Sequence, residues 1–435
     1  GPRSRRLILL LAVTAVVFVG LIALSLPIVF ALGIAAVVGL SIGGYPLEIV
    51  ASSMIAGSQN WVLLAIPSFI FAGTIMERCG MSNALVDLAR ALVGWLRGGL
   101  GMSVIVVSYF FSDICGSKMA EVSALGSTLM PPLKRAGYRS EDSVSLIASG
   151  TAMGMLVPPA IFMIVIGEVT NTSVVALFLA GFIPAAVIGV CLCLLVMIQA
   201  HLLGWPKDTR PNWRFLLHSL REAAVPLVIP LVILGGFYLG AFTATEAGAV
   251  VALYSLLAAR LYYRNLSWAQ ILHIAYDSAV LTAAVVFLLA VATIFQYLMG
   301  VTGVPLLLGE LLKPLESAQW LFLLGVALLT MVFGMVLEGL PAAVVLIPVV
   351  FPIATKIGVN PIHFDIVQTA AVGIGLFLPP MGVGLLMALR FAEVSVSQHA
   401  PYYWPYVLAL LIGLLLIICL PELSLTIPRS AGFAR

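Results

Sequence analysis

Charge is what this chain has least of. Only 9% of its 435 residues are Asp, Glu, Lys or Arg, whereas 62% are hydrophobic, and the mean hydropathy is +1.17. A soluble domain carries about 25% charged residues, so a water-exposed globule is excluded. Apolar runs long enough to span a bilayer recur along the whole length. No long polar stretch is left to build a soluble domain, so a soluble partner has to be a separate protein. A formal net charge of +3 is too small to indicate a nucleic-acid partner. The phosphate-cradling G-x-x-x-x-G-K-[ST] motif is missing, so the chain does not itself hydrolyse ATP. The five cysteines (Cys79, Cys115, Cys191, Cys193 and Cys419) show no zinc or disulfide spacing and read as small hydrophobes. The five histidines are scattered, mostly near loops, and form no Ser/His/Asp or Cys/His arrangement. The reading is a membrane protein that is not an enzyme.

Proline and glycine, by contrast, are plentiful and ordered. The stretch 351–380 repeats 130–159 at a constant separation of 221 residues: Pro131 with Pro352, Gly137 with Gly358, Gly154 with Gly375, Pro158 with Pro379 and Pro159 with Pro380. Two Gly- and Pro-interrupted apolar segments in corresponding positions of two halves point to a secondary transporter, whose broken helices meet near mid-membrane and hold substrate and ions.

The segment 7–40, with Pro27 in its middle, reads as two short spans or one kinked one. Gly1 and Pro2 read as a cleavage remnant. Further spans are expected at 61–77, 142–170, 174–203, 223–241, 243–261, 272–299, 361–390 and 402–420. The segments 98–134 and 319–354 have apolar arms about a polar or Gly-rich centre. Non-helical backbone survives in lipid only where protein or a water-filled cavity covers it, so both read as re-entrant hairpins. Arg90, Arg97, Lys134, Arg135 and Arg139 flank the first, and only Lys313 and Lys356 flank the second. By the positive-inside rule the first opens to the cytoplasm and the second outward. Lys207, Arg210, Arg214 and Arg221 place 205–221 in the cytoplasm as well. The predicted organisation is N-terminal scaffold helices (1–59), a first repeat (60–204), a cytoplasmic connector (205–221), an inverted second repeat (222–420, whose helices over 223–261 belong to the scaffold) and a C-terminal tail (421–435).

The Pro pairs carry the chemistry. Pro158-Pro159 removes two backbone donors inside an apolar segment, pushes Val157 out of helical geometry, and follows Gly154. An unwound stretch there exposes carbonyl oxygens that are costly to leave bare and that a dehydrated sodium ion would satisfy, since hard cations take oxygen ligands. Ser112 and Ser117 at the first hairpin tip are further ligand candidates. The stretch about Pro379-Pro380 repeats the argument. Half-helix N-termini aimed at the same cavity suit a substrate carboxylate. The charged residues near the membrane interior are Asp113, Lys118, Glu121, Glu168, Glu246 and Glu338, each a functional candidate by default. Lys118 and Glu121, three apart, are placed to pair. Lys118, Asp113 and Thr151 are the candidate substrate contacts.

Several strings complete the picture: Leu26-Pro27-Ile28-Val29-Phe30-Ala31-Leu32-Gly33, Ile66-Pro67-Ser68-Phe69-Ile70-Phe71-Ala72-Gly73, Ala124-Leu125-Gly126 through Lys134-Arg135-Ala136-Gly137-Tyr138, Gly240-Ala241-Phe242-Thr243-Ala244-Thr245-Glu246-Ala247, and Gly358-Val359-Asn360-Pro361-Ile362-His363-Phe364. Through them the chain resembles, nearly end to end, the large transmembrane subunit (DctM type) of tripartite ATP-independent periplasmic (TRAP) transporters. The resemblance implies an all-α integral membrane protein of the bacterial inner membrane, an elevator-type carrier with scaffold and transport parts, driven by a sodium gradient. It implies a small four-helix membrane subunit, a soluble periplasmic binding protein and a carboxylate substrate. By position it maps a first sodium site onto Ser112, Ser117, Gly154, Val157 and Pro159, and a second onto Gly334, Gly375, Leu378 and Met381. Leu378 stands where the family usually has a hydroxyl residue, and Lys118 where many relatives carry a small one. Ala244 replaces a common proline, and Thr369-Ala370-Ala371 replaces a segment that often carries Asn. The expected function is sodium-coupled import of an organic acid, with no Asp or Glu required as a proton relay. The rivals are a stand-alone sodium/divalent-anion symporter without a binding protein, and a channel or scaffold membrane protein.

Overall fold

The computed structural model describes residues 2–111, 118–207, 212–304 and 318–433. Nearly all of them are helical. The N-terminal apolar segment divides in two, α1 (Pro2–Ala23) and α2 (Ile28–Gly43), which pack against each other. The break falls at Ser25, whose φ is +62°, and Pro27. Then come α3 (Glu48–Ser58), a short 3₁₀ turn (Trp61–Leu64), α4 (Ala65–Arg78) and α5 (Met81–Val93).

The segment expected as the first hairpin contains α6 (Gly99–Phe111) and α7 (Lys118–Arg135); its expected tip, 112–117, lies outside the described residues. The segment expected as one span over 142–170 is two short helices, α8 (Ser140–Gly154) and α9 (Ile161–Thr170), followed by α10 (Val174–Leu202). The next helix, α11 (Trp213–Tyr238), starts well before the expected 223, because Asn212 caps it by accepting from the Arg214 and Phe215 amides. It leads into α12 (Ala244–Leu257), which runs on as a π-helical turn (Ala258–Tyr263), and α13 (Trp268–Thr302).

The second half repeats the plan: α14 (Gln319–Leu337), α15 (Gly339–Lys356), α16 (Pro361–Gly375), α17 (Val383–Ala392) and α18 (Val396–Cys419). A further helix, α19 (Glu422–Ser430), occupies the expected tail and packs against α10 and α16. Among the described residues eight helices are long and apolar enough to cross a membrane, both arms of the second hairpin included.

The repeat extends beyond proline spacing. Helices α7 and α15 begin 221 residues apart, as do α8 and α16. After the Pro pairs the separation becomes 222: α9 with α17, α10 with α18, and the left-handed caps Asn171 and Glu393. One residue is therefore added between Pro380 and Val383 in the second copy. The bond within each Pro pair is cis.

Packing divides the helices into two sets. Helices α11–α13 pack on α2–α5, whereas α6, α8, α10, α14, α16 and α18 pack on one another. At the centre of the second set lie α8 and α16, buried along nearly their whole lengths. A helix buried all round has no room for large residues where it crosses another: a Cβ on Gly373 would sit 2.5 Å from the Ala152 carbonyl oxygen. Arg97 and Lys207 form an isolated bridge, and the rings of Tyr138 and Trp205 lie 4.4 Å apart. The basic loops that charge patterning assigns to one side thus lie together.

Candidate substrate and cation site

Where the starts of α9 and α17 face those of α7 and α15, the structure leaves a cavity of about 280 Å³. Its wall includes Lys118, the first residue of α7; Ile161 and Phe162, the start of α9; Gly339 and Leu340, the start of α15; and Val383 and Gly384, the start of α17. Four helix N-termini converge on one space. Each offers amide groups without an intrahelical partner and the positive end of a peptide dipole, the arrangement that binds anions elsewhere. Met155 and Leu376, from the ends of α8 and α16, close the interior. Val29 of α2 and Leu281 to Leu288 of α13 close the other side.

The opposite polarity is found next to it. No described donor reaches the carbonyl oxygens of Met155, Leu156, Val157, Pro158 or Pro159. The Gly154 carbonyl accepts from the Val157 amide at 3.0 Å and keeps a second lone pair. Of the residues mapped onto a first sodium site, Gly154, Val157 and Pro159 therefore form one run of carbonyls, while Ser112 and Ser117 lie outside the described residues. In the second copy, Gly334 and Gly375 come together: a Cβ on Gly334 would lie 3.7 Å from the Gly375 Cα. The Gly375 and Leu378 carbonyls accept from the Leu378 and Gly382 amides at 3.1 and 2.9 Å, and the Met381 carbonyl has no described donor. The Met381 side chain is exposed and contributes nothing to an enclosed site. The donor set of both stretches, uncharged oxygens alone, fits a hard monovalent cation. Among the described residues no cluster of His, Cys, Asp or Glu offers a transition-metal site.

Lys118 reaches Glu121 at 2.9 Å and the Thr151 carbonyl at 3.5 Å, with 10% of the Lys118 side chain and 1% of the Glu121 side chain exposed. The pairing expected from their spacing is present, and it ties the hairpin's return arm to α8. Thr151 is buried, and its hydroxyl has no described partner. Asp113 lies outside the described residues.

The remaining expected interior charges sort differently. Glu246 is solvent-exposed and closes a capping box with Thr243, so its role is to start α12. Glu168 accepts from Asn60 Nδ2 at 2.5 Å, joining the end of α9 to the loop before α4. Glu338, at φ +70°, is the single-residue turn between α14 and α15 and lines the cavity.

Sequence reasoning missed two buried acids, Asp142 and Asp365. His363 and His399 stand in the first turns of α16 and α18, close to the preceding loops, and are buried on Ser424 and Ser145. The signal for Asp365 was present: an acid standing in an otherwise apolar segment.

The chain matches the family model of the DctM component of tripartite ATP-independent periplasmic transporters over residues 15–423. It is 33% identical over 379 residues to the C4-dicarboxylate TRAP transporter large permease protein DctM of Pseudomonas aeruginosa, covering 87% of this chain and 88% of that one. It is 33% identical over 407 residues to the 2,3-diketo-L-gulonate TRAP transporter large permease protein YiaN of Escherichia coli, covering 93% and 95%. In fold it is similar to the Alcanivorax borkumensis YdaH transporter, with a TM-score of 0.56 and 12% identity over 86% of this chain and 87% of that one.

Proposed function

Because the chain belongs to the DctM family of tripartite ATP-independent periplasmic transporters, a multi-pass protein of the bacterial inner membrane, we propose that it imports an organic acid by sodium symport. The observation that carries the reading is the cavity on which four helix N-termini converge beside two runs of carbonyls. Its 280 Å³ lies just below the roughly 300–1,000 Å³ of drug-sized sites, a size for a small solute. Its charged groups do not favour an anion by themselves, since Lys118 is already paired with Glu121 and Glu338 adds a negative charge. Attraction for a carboxylate then rests on the helix dipoles and on cations held at the adjacent carbonyls. That dependence is the physical basis of coupling: sodium bound first makes the cavity favourable to the anion.

Gly154, Val157 and Pro159, with Ser112 and Ser117, are the residues proposed to hold one ion; Gly334, Gly375, Leu378 and Met381 are proposed to hold the other. Lys118, Asp113 and Thr151 are the proposed substrate contacts, to which the cavity adds Glu338. The two relatives named for carboxylates support that substrate class, and the term large permease implies a small membrane subunit and a periplasmic binding protein as partners. Access alternates by bodily movement of the helices around α8 and α16 against those around α11–α13.

The test is uptake of labelled carboxylates into proteoliposomes holding this chain and its small subunit. Uptake should require both the binding protein and an inward sodium gradient. Uptake with sodium alone would instead establish the stand-alone symporter, and uptake indifferent to sodium would remove the proposed ion sites.

A further inference from the structure

Asp365 lies in the first turns of α16 with no exposed surface. Its Oδ2 is 2.8 Å from the Thr170 hydroxyl, and its Oδ1 has no partner among the described residues. The same Thr170 Oγ1 lies 2.8 Å from the Ile166 carbonyl and 2.9 Å from the Thr172 hydroxyl. A hydroxyl has one proton to donate and two lone pairs with which to accept. The Ile166 carbonyl only accepts. An ionised Asp365 also only accepts, so the single Thr170 proton would have to serve both. With a proton on Oδ2 the count closes: Asp365 and Thr172 donate to Thr170, and Thr170 donates to Ile166. Oδ1 is then an uncharged carbonyl oxygen, far cheaper to leave unpaired than half of a buried anion.

Proton access is visible in the same groups. Thr172 lines a cavity of about 640 Å³ together with Asn60, Glu168, Asn171 and Glu246. From this cavity, Thr172, Thr170 and Asp365 form an unbroken series of hydroxyl and carboxyl oxygens.

We propose that Asp365 is a proton-binding site reached from this cavity through the hydroxyls of Thr172 and Thr170. Loading conserves atoms and charge. A hydronium ion in the cavity gives a proton to Thr172 Oγ1 and is left as water; Thr172 passes its own proton to Thr170 Oγ1, which passes its own to Asp365 Oδ2; release reverses each transfer. Among the described residues no other charge competes for the group. Of the helices packed against α16, α14 carries no titratable residue, and α10 carries only Cys191, Cys193 and His201. On α9, Glu168 is held by Asn60. On α8, Glu141 and Asp142 lie beside Arg139 at its start, and on α15 Lys356 lies exposed at its end. On α18 stand His399, Tyr402, Tyr403, Tyr406 and Cys419, with His399 on Ser145. On α19, Glu422 pairs with Arg429. His363, on α16 itself, is held by Ser424. Among the described residues the hydroxyl bonded to the Asp365 carboxyl is that of Thr170.

The test is infrared spectroscopy of the purified full chain at neutral pH, which needs neither substrate nor transport and so succeeds or fails independently of the proposed function. Wild type should show the carbonyl stretch of a protonated carboxylic acid, shifting on transfer to D₂O and lost in Asp365→Asn. Thr172→Val should keep the band and slow its shift. If Asp365→Asn does not fold, Thr170→Val identifies the band instead, by moving its frequency when the hydrogen-bond partner goes. A spectrum with no such band assignable to Asp365 overturns the site, and an unchanged exchange rate in Thr172→Val overturns the path.

Discussion

At Gly375 the backbone of α16 presses on α14 so closely that a Cβ would stand 2.5 Å from the Met331 carbonyl oxygen. Neither partner can yield, because both are main chain. Gly375→Ala should therefore lower stability by about 1–3 kcal/mol, seen as a fall in thermal midpoint in detergent, and abolish sodium-dependent uptake; unchanged values for both would mean that the two helices slide freely. Leu378 poses the converse case. It is among the residues proposed to hold the second ion, but its side chain offers no oxygen. Leu378→Thr should lower the sodium concentration for half-maximal uptake, and a sodium titration that does not move would place the ion elsewhere. Gly375 was legible as a break in an apolar run. Glu338 was legible as a charge in the membrane but not as cavity lining, because only packing decides which way a turn residue faces.

The elements owe their ends to local chemistry. Thr243 and Glu246 satisfy each other's backbone groups at the start of α12, as Ser267 with Gln270 and Ser395 with Gln398 do for α13 and α18. Thr243→Ala should cost about 1 kcal/mol of stability and leave the sodium dependence of uptake unchanged; an altered sodium dependence would return Glu246 to the list of functional charges. The broken helices were legible because a Pro pair cannot continue a helix whatever surrounds it. The early start of α11 and the helix α19 were not. Both lie in stretches whose polar composition reads as loop, and they are stabilised by a cap and by packing on α10 and α16.

Across the whole molecule, Asn60, in the loop before α4, holds Glu168 of α9, which packs on α10, α15 and α16, and so joins the two packing sets. If the sets move against each other, that bond must break in every cycle. Asn60→Cys with Glu168→Cys, in a chain whose native cysteines are replaced, should crosslink on oxidation and stop uptake, with reductant restoring it; full uptake by the crosslinked protein would rule out bodily movement. By itself the sequence determined the membrane class, the two Pro-interrupted copies and the family strings, because each depends on composition or on residue order alone. Only the tertiary structure decided that four helix starts share one cavity, that Glu246 is a cap, and that Asp365 meets Thr170 across 195 positions of chain. Those facts depend on which faces of separate helices are turned toward each other, and helix-to-helix orientation is set by packing across the whole fold, not by the local pattern of any one segment.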